Sequence, residues 1–164
     1  GCDIIPRVEI DGATVSSTYI RQLIEAGDMA RAVRFLGHPH ILTGTVRHGR
    51  GIGRSELFPT ANLLLPQDVI VPSHGVYATR AVLPDCSSLP AVTNVGVRPT
   101  VNNGSDVTVE ASLIGFSGDL YGSTLRIEFY EKLRGERRFS TVEALKAQIQ
   151  QDIDATSAYF STHS

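Results

Sequence analysis

Between Ile41 and Tyr130 the chain breaks into short runs of β-forming residues, each closed off by Gly, Pro, Asn or Asp. The runs are Ile41 to Arg47, Ala61 to Leu65, Gly75 to Leu83, Ala91 to Val95, Val107 to Ile114 and Leu125 to Tyr130. They are too short and too rich in β-branched residues for helices. In the last run Leu125, Ile127 and Phe129 alternate with Arg126, Glu128 and Tyr130, which is the period of a strand with one buried face. Six short strands laid flat would leave two unpaired edges. The pattern therefore predicts a mainly β fold, a closed or nearly closed antiparallel barrel.

The two ends of the chain read differently. Ile20, Leu23, Ile24, Met29, Val33 and Leu36 recur at helical spacing. Ser16 or Ser17 can cap a first helix and Gly27 can end it; Asp28 can cap a second, which Gly37 and Pro39 stop. That pair is too short to enclose a core of its own. The chain is accordingly divided at about residue 40, into a helical segment over 1–40 and a barrel with a C-terminal helix over 41–164. For that last helix, Ser140-Thr141-Val142-Glu143 has capping-box spacing, and Val142, Leu145, Ile149 and Ile153 mark an apolar face expected to cap the barrel.

Composition removes several function classes. Fifteen Lys and Arg against seventeen Asp and Glu give a net charge of −2, and there is no Trp, so neither a polyanion-attracting field nor a base-stacking platform is expected. Nucleic acid is not an expected partner. Cys2 and Cys86 stand far apart with no paired His, which suggests neither a zinc site nor a disulfide framework. No apolar run is long enough to cross a bilayer as a helix and no secretory signal is visible, so no membrane partner is expected and the cytoplasm is the expected location. The histidines lack metalloprotease spacing, and no Gly-x-Ser-x-Gly elbow occurs.

Three stretches could carry chemistry. The first is Gly49-Arg50-Gly51-Ile52-Gly53-Arg54, where closely spaced glycines let backbone N–H groups approach phosphates and the arginines add charge. The same composition also serves an ordinary turn, and without a Gly-Lys-Ser/Thr ending it is not a P-loop. The second is Pro59-Thr60-Ala61-Asn62, where a hydroxyl and an amide oxygen two residues apart on an extended chain share a side and could grip one ion. Such neutral oxygens suit Mg²⁺ when phosphates and water complete its coordination, although they can equally cap neighbouring backbone. The third is Glu110, which shares a face with Thr108 and Ser112, opposite Val109, Ala111 and Leu113. It is either part of a polar outer face or a general base beside a cleft. Tyr130 to Phe139 is charged and reads as solvated by default.

Taken in order, several motifs resemble the riboflavin kinase domain. They are Gly44-x-Val46, the glycine–arginine loop, Phe58-Pro59-Thr60-Ala61-Asn62, Gly75-Val76-Tyr77, Asn94-Val95-Gly96-Val97-Arg98-Pro99-Thr100, Val109-Glu110 and Asp119-Leu120-Tyr121-Gly122, continuing through Leu133-Arg134 and Phe139 to Asp152. Upstream, Val15-Ser16-Ser17-Thr18, Gly27-Asp28 and Leu36-Gly37 resemble the end of the FMN adenylyltransferase domain of bifunctional bacterial FAD synthetases. The His-x-Gly-His motif of that domain is absent, so FMN adenylyltransferase activity is not expected.

The resemblance implies a six-stranded Greek-key barrel that phosphorylates riboflavin at its 5′-hydroxyl with MgATP, giving FMN and ADP. It implies that Thr60 and Asn62 hold Mg²⁺ and that Glu110 is the base and touches the flavin. Gly49, Gly51, Gly53, Arg54, Ser55, Pro59 and Tyr121 would join Thr60 and Asn62 around the nucleotide, and Leu133, Arg134 and Phe139 would line the flavin. Where the family usually carries a glycine before the aromatic residue of Phe/Ile-Pro-Thr-Ala-Asn, Leu57 directly precedes Phe58. A barrel that binds flavin or nucleotide without turnover is the alternative; Thr60, Asn62 and Glu110 together favour the enzyme.

Overall fold

The computed structural model describes residues 7–47, 60–99 and 105–163, including all of their side chains except those of residues 98, 99, 105 and 106. The expected nucleotide contacts Gly49, Gly51, Gly53, Arg54, Ser55 and Pro59 lie outside the described residues. A two-residue hairpin, β1 (Glu9–Ile10) and β2 (Ala13–Thr14), precedes helices α1 (Ser17–Ala26) and α2 (Met29–Leu36). Then come β3 (His40–Arg47), β4 (Thr60–Leu64), β5 (Gly75–Val82), β6 (Ser88–Pro99), β7 (Ser105–Leu113) and β8 (Thr124–Arg134). Helix α3 (Val142–Thr162) follows. The expected strands all form; β6 and β8 run longer at both ends than hydrophobicity alone suggests.

The six strands β3 to β8 close into an antiparallel barrel in the order β3-β4-β7-β6-β5-β8. Within it β8, β5, β6 and β7 lie side by side, a fourth strand returning beside the first of three consecutive ones, which is the Greek-key arrangement. Period-two alternation decides what fills it. Leu42, Ala61, Leu63, Tyr77, Ala81, Ala91, Val95, Val109, Ala111, Leu113, Leu125, Ile127 and Phe129 are all buried in one cluster. Two threonines share that depth. Thr79 donates to the Ala91 carbonyl at 2.8 Å and its Oγ1 lies 2.7 Å from Thr93 Oγ1, so neither hydroxyl is left without a partner.

Leu23, Ile24, Met29, Ala32 and Phe35 of α1 and α2 belong to the same cluster as the barrel interior. The helical pair thus shares the barrel's core. Its capping follows the sequence: Ser16 Oγ accepts from Tyr19 N and Asp28 Oδ1 from Arg31 N, while Gly27 and Gly37 end the two helices in the left-handed conformation. At the end of α1 a polar latch ties the pair to the barrel. Ser73 Oγ donates to the Ala26 carbonyl at 3.1 Å, Lys132 Nζ donates to Ser73 Oγ at 2.7 Å, and the Tyr77 hydroxyl donates to the Ser73 carbonyl. Burial raises the Tyr77 pKa above its usual value. Nearby His40 Nε2 is 2.8 Å from the Ile70 carbonyl, and burial lowers its pKa.

Helix α3 departs from expectation in two respects. Its N-cap is Thr141, whose Oγ1 accepts from Ala144 N at 3.1 Å, one residue later than the predicted box; Glu143 sits in the first turn, where it suits the positive helix end. The helix also lies along β5 and β6 on the barrel's flank instead of capping it. There Val76, Val92 and Ile153 form a cluster separate from the interior. Val142 is 61% exposed, because the buried positions Asp152, Ile153, Thr156 and Phe160 all lie at or beyond the middle of the helix. Phe160 packs edge-on to Tyr130 at 5.1 Å under the Arg80 guanidinium at 4.5 Å. Desolvation, then the Glu128 carboxylate, push the Tyr130 pKa up to about 12.

The latch makes Gly27 and Gly37 separable. Both have positive φ, but a Cβ at Gly37 meets nothing within 4 Å, whereas one at Gly27 collides with Ser73 Oγ, Tyr77 OH at 2.8 Å and Lys132 Cδ at 3.1 Å. Gly37→Ala should cost only the backbone penalty, about 1 kcal/mol. Gly27→Ala should cost about 2–4 kcal/mol because the overlap adds to it. Urea midpoints of the two variants check the ranking, and equal losses would refute the latch.

Candidate active site

Inward and outward parity fixes where polar strand residues go. With Val109, Ala111 and Leu113 filling the interior, Thr108, Glu110 and Ser112 must face out, and they are half-buried there. The same rule sends Thr60 and Asn62 of β4 outward opposite Ala61 and Leu63. Glu110 thus lies on the polar outer face, and what it can do depends on its neighbours.

Register supplies them. Asn62 is directly paired with Glu110 across β4 and β7, Glu110 with Asn94 across β7 and β6, and Asn62 with Arg47 across β4 and β3. Directly paired residues have Cβ atoms roughly 4.5–5.5 Å apart. Four polar side chains from four strands thus lie in one row. On one side of the row Thr60 is paired with Ser112, and on the other Thr108 is paired with Gly96. β4 and β7 stay paired only as far as Leu63 opposite Val109. Beyond that point a cleft of about 540 Å³ opens, lined by Arg47, Asn62, Leu65, Val69, Val107 and Thr108 among others.

The donors suit the expected ion. Among the described residues no group of three or more His, Cys, Asp or Glu could hold a metal. A neutral pair, the Thr60 hydroxyl and the Asn62 amide oxygen, fits Mg²⁺ that takes the rest of its oxygens from phosphates and water. Tyr121 is 56% exposed on a turn fastened to the end of β3. Its N–H donates to Asp119 Oδ1 at 2.8 Å, Gly122 N donates to the Val46 carbonyl at 3.0 Å, and Val46 N donates to the Ser123 carbonyl at 2.8 Å.

Residues 133–139 divide their roles. Leu133 packs against the Val76, Val92 and Ile153 cluster under α3. Arg134 Nη2 and Nε bond both oxygens of Asp152 at 2.8–3.2 Å, and its Nη1 donates to the Gly135 carbonyl at 3.1 Å. Phe139 is half-buried, with the Arg134 and Arg137 guanidinium carbons 5.8 and 5.9 Å from its ring. Arg134 is thus a strut between β8 and α3, and the flavin role expected of it rests on whatever edge that strut leaves open. Sequence reasoning gave no role to Arg47, Asn94, Thr108 or Asp152. For Asn94 the signal was its alternation with Thr93, which is fully buried; for Asp152, an acid on the apolar side of a helix.

A family model described as Flavokinase: Riboflavin kinase matches residues 36–160. A bifunctional riboflavin kinase/FMN adenylyltransferase of Pseudomonas fluorescens is 43% identical over 151 residues, which are 92% of this chain and 48% of that protein. The chain spans about half the length of the curated relatives it matches. Among solved structures, a macrolide-efflux protein from Streptococcus pneumoniae superposes with a TM-score of 0.87 at 32% identity, over 93% of this chain and 50% of that one. A riboflavin kinase from Trypanosoma brucei superposes with a TM-score of 0.57 at 27% identity, over 76% of this chain and 81% of that one. No helix among the described residues is long and apolar enough to cross a membrane.

Asp152 is 4% exposed and also accepts from Gln148 Nε2 at 3.0 Å. Removing it strands a largely buried guanidinium. Asp152→Ala should lower stability by about 3–5 kcal/mol. Chemical denaturation measures this; a loss under 1 kcal/mol would show that the strut does not hold α3.

Proposed function

The chain belongs to the flavokinase (riboflavin kinase) family, and on that premise we propose that it transfers the γ-phosphoryl group of MgATP to the 5′-hydroxyl of riboflavin, giving FMN and ADP. The observation that carries the reading is the direct register of Asn62 with Glu110, beside Thr60, on one outward face. Phosphoryl transfer leaves little covalent work to a protein and depends on alignment and charge neutralisation. A hydroxyl and an amide that would hold Mg²⁺, next to a carboxylate, supply the parts such a reaction needs.

In this reading the riboflavin 5′ oxygen bonds to the γ-phosphorus as the bond to the β–γ bridging oxygen breaks, and Glu110 takes the hydroxyl proton. Thr60 Oγ1 and Asn62 Oδ1 would hold Mg²⁺, which when bound neutralises charge on the phosphates. Arg47, paired with Asn62, adds a fixed positive charge on the same side. Thr60 is exposed and opens to solvent at the start of β4, the side from which the nucleotide is read to approach. Glu110 needs no unusual basicity, since the proton leaves late in a loose transition state.

Gly49, Gly51, Gly53, Arg54, Ser55, Pro59 and Tyr121 are retained as nucleotide contacts, and Leu133, Arg134 and Phe139 as flavin contacts. Residues 1–40 are read as the link to an adenylyltransferase domain in a parent chain, in keeping with the bifunctional names of the relatives. The proposed location is the cytoplasm.

Chromatography of riboflavin incubated with ATP and Mg²⁺ tests the activity, with FMN and ADP expected in equal amounts. Glu110→Gln should keep the fold and reduce turnover roughly 10²–10⁴-fold. Near-native turnover in that variant would remove Glu110 from the chemistry, and flavin binding without any FMN from the native protein would make the barrel a binding module.

A further inference from the structure

Arg47 ends β3 on a backbone that is held from both sides. Its inward neighbour Val46 is buried and bonds the turn after Tyr121 through both backbone groups, at 3.0 and 2.8 Å, while Arg47 itself is in register with Asn62. Parity sends its side chain outward, where it is exposed. The other strand arginines whose side chains are described have partners inside the protein. Arg80 lies over the Phe160 ring at 4.5 Å, Arg126 bonds Glu128 at 3.0 Å and Arg134 bonds Asp152 at 2.8 Å. Among the described residues no acid forms an ion pair with Arg47, although Asp68 lines the same cleft.

Its place in the row gives the missing partner a chemistry. Asn62 stands between Arg47 on one side and Glu110 on the other. Neighbouring strands lie about 4.8 Å apart, so the backbones of Arg47 and Glu110 are separated by roughly 10 Å, with the Asn62 amide between them. Opposite charges on exposed side chains at that separation are largely screened from each other, yet both can reach a tetrahedral group seated over Asn62. We propose that Arg47 is a further catalytic residue, whose guanidinium contacts the phosphoryl group while that group passes from nucleotide to alcohol. The inference rests on the riboflavin kinase reading and deepens it.

In that step the bond from the 5′ oxygen to phosphorus forms as the bond from phosphorus to the bridging oxygen breaks. ADP leaves with the electron pair of the broken bond, and Glu110 takes the hydroxyl proton. Negative charge stays spread over the three peripheral oxygens of the group in transit. A guanidinium can give two of them parallel N–H donors, a match that an ammonium lacks. Arg47 and Glu110 thus take opposite flanks of the same group, one stabilising its charge and the other accepting the proton of the incoming alcohol. Because Arg47 is rooted on a paired strand, its charge is in place before the substrates arrive.

The test measures FMN formation by the full chain, ADP binding by calorimetry and riboflavin binding by quenching of flavin fluorescence. Arg47→Ala should lower kcat about 10²-fold and change the KM for ATP by less than about threefold, because the contact strengthens in the transition state. Arg47→Gln should be as slow as Arg47→Ala, and Arg47→Lys should recover part of the loss. Affinities for riboflavin and for ADP, which lacks the transferred group, should stay within about twofold of native, and the urea midpoint should not move, since Arg47 is exposed and has no ion pair among the described residues to lose. A raised KM for ATP with kcat unchanged, or ADP binding weakened in step with turnover, would make Arg47 an ordinary nucleotide contact and overturn the proposal. Native turnover in Arg47→Ala, or a urea midpoint that falls along with activity in all three variants, would overturn it too. Each of these results leaves the kinase reading intact so long as the native protein makes FMN. No FMN from the native protein would overturn that reading and this inference with it.

Discussion

Strand parity is the constraint on which the rest depends. Once the barrel closes in the order β3-β4-β7-β6-β5-β8, every residue on these strands is committed to the interior or the exterior, and a one-residue slip would exchange the two sets. Burying Val109, Ala111 and Leu113 puts Glu110 outside, and burying Ala61 and Leu63 puts Asn62 beside it. The hydrophobic effect thus positions the polar row through the residues on the opposite face of the same strands. Each fully buried Leu, Val or Phe favours this register over the slipped one by about 1.5–3 kcal/mol. A conservative core substitution can accordingly disturb chemistry on the opposite side of the same strand.

The helices divide the work of holding that barrel. α1 and α2 extend its interior, and their union with it is sealed by the Ser73, Tyr77 and Lys132 latch at the end of α1. α3 is external and is held by an apolar seam under Ile153, an aromatic end at Phe160 and the Arg134–Asp152 pair. Loss of the first arrangement would open the core itself. Loss of the second would leave the core closed and release the wall beside the segment that follows β8.

Much of this was legible in the residues, for different physical reasons. Short β-branched runs between turn residues reveal strands because strand length and period are local properties, and Ser16, Gly27, Asp28 and Gly37 reveal helix ends because caps are local too. Long-range placement was not legible. The apolar stripe on α3 does not say which half of the helix touches the barrel: Val142 is on the stripe but at the end that stays exposed, and the cap is Thr141 instead of Ser140. Thr60, Asn62 and Glu110 could be singled out by type, yet the pairing that joins them is a property of β4 and β7 together, separated by forty-odd residues of chain. Asn94, Arg47 and Asp152 carried no motif of their own, and only register or packing gives them a part.

A filled interior also explains why the site must be external. Tyr77, Leu125, Ile127 and Phe129 leave nothing exposed inside a six-stranded barrel, which is too narrow to hold both side chains and a ligand. Substrates can meet this fold only on its outer surface, where a sheet alone offers no enclosure and water competes for every hydrogen bond. Enclosure has to come from what flanks the sheet. On the β6 side the wall is α3 with the segment rooted at Arg134; on the β3 side it is the turn carrying Tyr121. The polarity of the row is graded, with neutral and positive groups at Thr60, Asn62 and Arg47 and an acid at Glu110. In the proposed reaction, a polyphosphate and an alcohol brought to such a row would meet opposite ends of one electrostatic gradient.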